Sequence, residues 1–125
     1  MKKKFLLLVL CLISALFVSG QTYKSLDGNE VLTKTSSTTW TIKWGNKGGG
    51  VTTKYLTLSQ RKRTSAHNIP DNMSFKIYNI KNSADYILIG DEHLSDPINK
   101  YLMRGISYYN ELDRKMWSCE VYIGR

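Results

Sequence analysis

The chain has 125 residues and a formal net charge of +8, with 42% hydrophobic and 22% charged residues. That hydrophobic share can build a packed core and excludes a disordered polyelectrolyte, while the length suits one domain rather than several. Two cysteines, Cys11 and Cys119, are too few for a disulfide framework.

Residues 1–20 have the three parts of a secretory signal peptide. Lys2, Lys3 and Lys4 form a charged start. Phe5 to Val18 is an apolar stretch too short to span a bilayer comfortably. Val18-Ser19-Gly20 supplies residues that a signal peptidase accepts, so cleavage is expected before Gln21, leaving 21–125 as a single domain. The rival is an N-terminal membrane anchor. Lipidation at Cys11 fits poorly, because Leu10 before it is bulky and Leu12 to Val18 would remain as an apolar stub. The expected location is therefore outside the cytoplasm, secreted or periplasmic. Cys119 is then left without an intramolecular partner.

Charge is uneven in what remains. Gln21 to Lys81 carries ten Lys/Arg against three Asp/Glu, whereas Asn82 to Arg125 carries five against seven. This asymmetry predicts a polarised surface, if halves of the sequence become halves of the molecule.

The first elements are short. Leu26-Asp27-Gly28-Asn29 reads as a turn, with strands at Thr22 to Ser25 and Val31 to Lys34. Ser36 to Thr38 is a polar link. Thr39 to Ser59 is the strongest hairpin signal. Trp40, Ile42 and Trp44 alternate with Thr39, Thr41 and Lys43, the period of two of a half-buried strand. Gly45 to Gly50 is a glycine-rich turn. Folding there is expected to set Trp44 opposite Val51, Ile42 opposite Thr53 and Trp40 opposite Tyr55. Leu56 and Leu58 then fall on the other face, which calls for a bulge or a corner between two sheets. A phosphate-cradling loop is the rival for the glycines, but no helix-forming segment follows them.

Gln60 to Met73 is a polar loop. Its basic run Arg61, Lys62, Arg63, with Lys47 and Lys54 if they fall nearby, is the candidate anion-facing patch; the plain alternative is solvated charge. His67 has no assigned role. Processing after Arg63 and the sequon Asn72-Met73-Ser74 both require a eukaryotic secretory route that the sequence does not establish.

Ser74 to Ile80 and Asp85 to Gly90 form a second expected hairpin around Lys81 to Ala84. Phe75 and Ile77 share a face with Tyr86 and Leu88, while Tyr78, Ile87 and Ile89 share the other, so this sheet is expected to be covered on both sides. Asp91, Glu92, His93 and Asp96 follow in an acidic loop. They are possible metal ligands or an acid/base set, but their spacing matches no coordination motif, and neither metal nor cofactor is expected.

Asp96-Pro97 is a helix-start signal. Two continuations compete: a helix over 97–113, or a short helix near 96–103 followed by a strand over Arg104 to Tyr109. Gly105 with the run Ile106-Ser107-Tyr108-Tyr109 favours the strand, paired with Met116 to Gly124 through Asn110 to Lys115. Cys119 lies on the same alternating face as Trp117, Val121 and Ile123, where it is expected to be a buried, inert thiol.

Seven or eight short strands predict an all-β antiparallel sandwich or small barrel, with an α+β fold built on the longer helix as the alternative. The function expected is an exported, non-enzymatic binding protein (inhibitor, immunity-type or envelope-associated) whose partner is a protein or an anionic polymer. A carbohydrate-binding module using Trp40, Trp44, Trp117 and the tyrosines is the alternative. A small hydrolase lacks a nucleophile–base–orienter set.

Overall fold

The structure is a computed structural model and describes residues 21–95, 98 and 101–123. The expected signal segment, 1–20, lies outside the described residues. Nine strands occur among those described: β1 (Thr22–Lys24), β2 (Glu30–Lys34), β3 (Thr39–Gly45), β4 (Val51–Leu58), β5 (Phe75–Ile80), β6 (Tyr86–Gly90), β7 (His93–Leu94), β8 (Leu102–Tyr109) and β9 (Lys115–Ile123). From β1 to β6 each strand pairs antiparallel with the next. β6 then pairs with β8, β8 with β9, and β9 returns to β1. Eight strands thus close an up-and-down barrel, and β7 is an added strand against the start of β8. Closure joins the first strand to the last, which limits the free edge that a small all-β chain offers to edge-to-edge association. The seam between β1 and β9 is thin, a single residue pair, Lys24 with Tyr122. Beside it a cleft of about 670 Å³ opens between the β1–β2 turn and β9.

The strand period of two sorts the chain into inside and outside. Tyr23, Leu32, Trp40, Ile42, Leu56, Tyr78, Ile80, Ile87, Ile89, Ile106 and Val121 form one buried cluster that fills the barrel. An eight-stranded barrel is just wide enough for side chains to fill it, and here they do. The outward positions between them are largely Thr, Ser and Lys, such as Thr39, Thr41, Lys43, Thr53 and Ser118. This apolar-in, polar-out order is the reverse of a lipid-facing barrel surface. No helix among the described residues is long and apolar enough to cross a membrane.

The central hairpin differs from the sequence expectation by one residue. Trp44 pairs with Thr52, Ile42 with Lys54 and Trp40 with Leu56. Gly45 is the last paired residue of β3, opposite Val51, so the turn is Asn46 to Gly50 rather than Gly45 to Gly50. The Asn46 N–H donates to the Gly50 carbonyl at 2.8 Å, and Gly49 takes φ +96°, a left-handed conformation that suits glycine. A one-residue slip exchanges the two faces of the second strand. Leu56 therefore points inward, 1% exposed, while Val51 and Tyr55 face solvent. With Leu56 in phase with Trp40, the expected bulge or corner is not needed.

The second hairpin has the expected pairing, Ile77 with Leu88 and Tyr78 with Ile87, and both faces are covered. The inner face joins the barrel core. The outer face carries a second cluster, Ile77, Tyr86, Leu88 and Tyr109, with Ile69 and Phe75 packed against it. The connection 59–74 lies over this cluster and contains a single 3-10 turn, Ser65–His67.

Leu102–Tyr109 is strand throughout, which overturns the helix over 97–113. Ile106 explains the outcome: as a strand residue it stands between Ile89 and Cys119 and is 1% exposed. Of the alternative short helix near 96–103, Leu102 and Met103 are strand; Asp96, Pro97, Asn99 and Lys100 lie outside the described residues.

Candidate binding site at one mouth of the barrel

At the end of the barrel where β2 gives way to β3, several inward positions carry charge instead of hydrocarbon. Lys34 is in phase with Leu32 and pairs with Trp40 across the β2–β3 ladder. Arg104 is in phase with Ile106 and pairs with Val121. Lys76 is in phase with Tyr78 and pairs with Ile89. The segment leaving β6 brings Asp91 and Glu92 to the same rim. These residues and Trp40 line a cavity of about 260 Å³. Its floor is the packed core, so a ligand here would occupy the mouth and not the lumen.

Aromatic faces hold the cations in place. The Arg104 guanidinium lies 5.2 Å from the ring centroids of both Tyr23 and Trp40. The Lys34 ammonium stands 5.7 Å from the Trp40 ring. Both distances are within cation–π range. Arg104 Nη1 donates to the Gly90 carbonyl at 3.0 Å, tying β8 to the end of β6. The fully buried Tyr23 donates its hydroxyl to the Glu92 carboxylate, which draws that acid over the mouth. Two buried donors have no hydrogen-bond partner among the described residues: Trp40 Nε1 and Arg104 Nε. Such atoms are uncommon in native interiors, because each carries a desolvation cost of about 1–3 kcal/mol.

The opposite mouth is closed by aromatic side chains. Trp44 and Trp117 meet edge-on at 5.4 Å, and Tyr108 stacks on Trp117 at 5.7 Å. The Tyr108 hydroxyl donates to Asp85 at 2.6 Å; burial foremost, then this carboxylate, push its pKa up to about 12.

The five residues expected to form an anion-facing patch make different contacts. Arg61 lies 4.3 Å over the Tyr86 ring and 3.4 Å from an Asp113 oxygen. Arg63 donates to the Ile69 and Met73 carbonyls and faces the Phe75 ring. Both therefore brace the 59–74 connection. Lys62 between them is exposed. Lys47 sits in the β3–β4 turn, and Lys54 is half-buried on β4 in phase with Leu56.

His67, given no role by the sequence, is 1% exposed. Its Nδ1 accepts the Thr64 N–H at 3.2 Å and its Nε2 meets the Tyr86 hydroxyl at 2.9 Å. Both ring nitrogens are thus engaged. Among the described residues no three of His, Cys, Asp and Glu gather as a metal site; Asp96 lies outside them. Cys119 is half-buried beside the β1–β9 seam, with its pKa pushed up to about 12 by burial first and by Glu30, Asp27 and Glu120 second.

The sequence reading missed Lys34, Lys76 and Arg104. A signal was present: each is a cation at an inward register position beside core residues. No protein-family model matches the chain, and no curated protein or solved structure resembles it closely enough to count as a match.

Proposed function

We propose that this chain is an exported, non-enzymatic binding protein that works through the mouth lined by Lys34, Trp40 and Arg104. The observation that carries the reading is Arg104, held between the Tyr23 and Trp40 rings at 5.2 Å from each. A guanidinium anchored on rigid strands in a concave, partly dry setting costs little further ordering when it meets a ligand. The export part of the proposal rests on the sequence pattern of residues 1–20.

Several features support binding over turnover. His67 has no free ring nitrogen, and the Cys119 thiol is held protonated at neutral pH. A carbohydrate site built on aromatic platforms would draw on the tryptophans, yet Trp40, Trp44 and Trp117 all belong to the barrel core or pack against it. Tyr55 is the one strongly exposed aromatic among the described residues.

The test is amide and indole NMR mapping of the purified protein against a panel of neutral and charged metabolite-sized compounds. Perturbations gathered at Lys34, Trp40, Ile89 to Glu92 and Arg104 are expected. Perturbations confined to another surface, or catalytic conversion of a panel compound, would overturn the reading.

A further inference from the structure

We infer that the mouth recognises a compact oxyanion, a carboxylate or phosphate group, which takes hydrogen bonds from Trp40 Nε1 and Arg104 Nε. The inference rests on the binding reading above and adds the ligand's chemistry. Three facts converge on it. Trp40 Nε1 and Arg104 Nε are buried donors with no acceptor among the described residues. Both belong to side chains lining the same cavity, which Lys34 and Lys76 also line. Every one of these four polar groups is a hydrogen-bond donor and none is an acceptor. Asp91 and Glu92 line the cavity as well, so three cations against two carboxylates leave a net charge of +1; the unpartnered donors select an acceptor, and that charge favours an anionic one.

Indole Nε1 is informative because Trp40 is 98% buried as a residue, 2% exposed, and fixed by its packing against Tyr23 and Tyr78 at 6.1 and 6.4 Å. Nε1 and Arg104 Nε are both closed off from solvent, so an oxyanion that satisfies them together must displace a side chain of the mouth, and the exposed Glu92 is the one placed to move. Glu92 bears on the same point. Its carboxylate already reaches in as far as the Tyr23 hydroxyl, so an acid side chain can enter this mouth. A ligand oxyanion would share the mouth with that charge and with Asp91. Removing the Glu92 charge should therefore tighten binding.

The probes are sodium acetate and sodium phosphate, titrated at constant ionic strength against sodium chloride. The readout is the Trp40 indole N–H resonance of the purified protein. A saturable downfield shift with acetate, phosphate or both, and none with chloride, is expected; which of the two binds tighter identifies a carboxylate or a phosphate ligand. Trp40→Phe keeps an aromatic ring and removes the donor; followed by the Ile89 and Asp91 amide resonances in place of the indole, its binding should be about tenfold weaker or more. Glu92→Gln should strengthen it severalfold. Arg104→Lys keeps the charge, lacks the Nε donor, and should also weaken binding. Far-UV circular dichroism and thermal midpoints confirm that each variant is folded; if Trp40→Phe fails to fold, Arg104→Lys carries the test. An unmoved indole resonance, or variants that bind like the wild type, overturns the inference. Weaker binding by Glu92→Gln also overturns it, because the ligand would then need that acid. If neutral compounds bind at the mouth while both anions do not, this inference fails and the binding reading stands. If nothing binds at the mouth, both fail.

Discussion

His67 and Tyr86 meet on the outer face of the barrel with imidazole Nε2 2.9 Å from the phenol oxygen, and that phenol donates to Asp113 at 2.6 Å. Because Nδ1 accepts from the Thr64 N–H, Nε2 must carry the proton, and the chain runs imidazole to phenol to carboxylate. This links the 59–74 connection to β6 and to the β8–β9 turn. Tyr86→Phe should leave Nε2–H buried without an acceptor and cost about 1–3 kcal/mol in a denaturation experiment. A variant as stable as the wild type would show that the chain is incidental.

The same histidine predicts an acid-sensitive step. Burial foremost lowers its pKa; Arg61 and Arg63 push the same way and Asp113 opposes them. The unfolded chain protonates this imidazole near pH 6.5, about its ordinary value, and the folded chain only at lower pH. Its contribution to stability is thus complete above about pH 6.5 and is lost as pH falls through the folded value. Urea midpoints at pH 7.5 and 5.0 should differ more for the wild type than for His67→Gln. Equal differences would remove His67 from the account.

The basic run separates into bracing and solvated residues. Arg61→Ala gives up the face of Tyr86 and the Asp113 contact, and with a side chain 41% exposed it should cost only about 0.5–1 kcal/mol. Lys62→Ala should stay within about 0.5 kcal/mol of wild type. Thermal melts at low and high salt would check both, and a larger loss for Lys62 would contradict the assignment.

Much of the fold was legible in the sequence because the strands obey a period of two. That period placed both main hairpins, the face shared by Cys119, Val121 and Ile123, and the strand ending at Tyr109. It does not state how many residues a glycine-rich turn consumes, and so the β3–β4 register was off by one. The site was less legible. Arg61 and Lys62 look alike in sequence, and only tertiary contact with Tyr86 and Asp113 distinguishes them. Arg104 reads as an ordinary surface cation until Tyr23 and Trp40, distant along the chain, close around it. His67 sits in a polar stretch, and its burial follows from the outer faces of Tyr86 and Tyr109, which the connection must cover.

The register of the central hairpin can be tested directly. Leu56→Ala should cost about 2–5 kcal/mol, the range for emptying a buried leucine, and Tyr55→Ala much less. Leu56 is 1% exposed and Tyr55 58%. The reverse order in chemical denaturation would restore the pairing of Trp40 with Tyr55.

Cys119 offers a test of how electrostatics, apart from steric cover, governs a half-buried thiol. It borders the cleft at the β1–β9 seam, so a reagent can approach it. Burial holds its pKa up at about 12, and the carboxylates of Glu30, Asp27 and Glu120 add to the effect. The thiolate is the reacting form, and an unperturbed thiol ionises near pH 8.5, so native labelling at pH 7.5 should be slower than labelling of the unfolded chain by about two orders of magnitude or more. The raised folded value also sets the direction of linkage: the protonated thiol favours the fold below about pH 8.5, and that contribution declines as pH rises toward the folded value. Glu30→Gln removes the largest of the three carboxylate effects. Native labelling should then speed up severalfold while the unfolded rate is unchanged. A thiol shielded only by packing would show no such acceleration, and that result would return Cys119 to the role of a simple core residue.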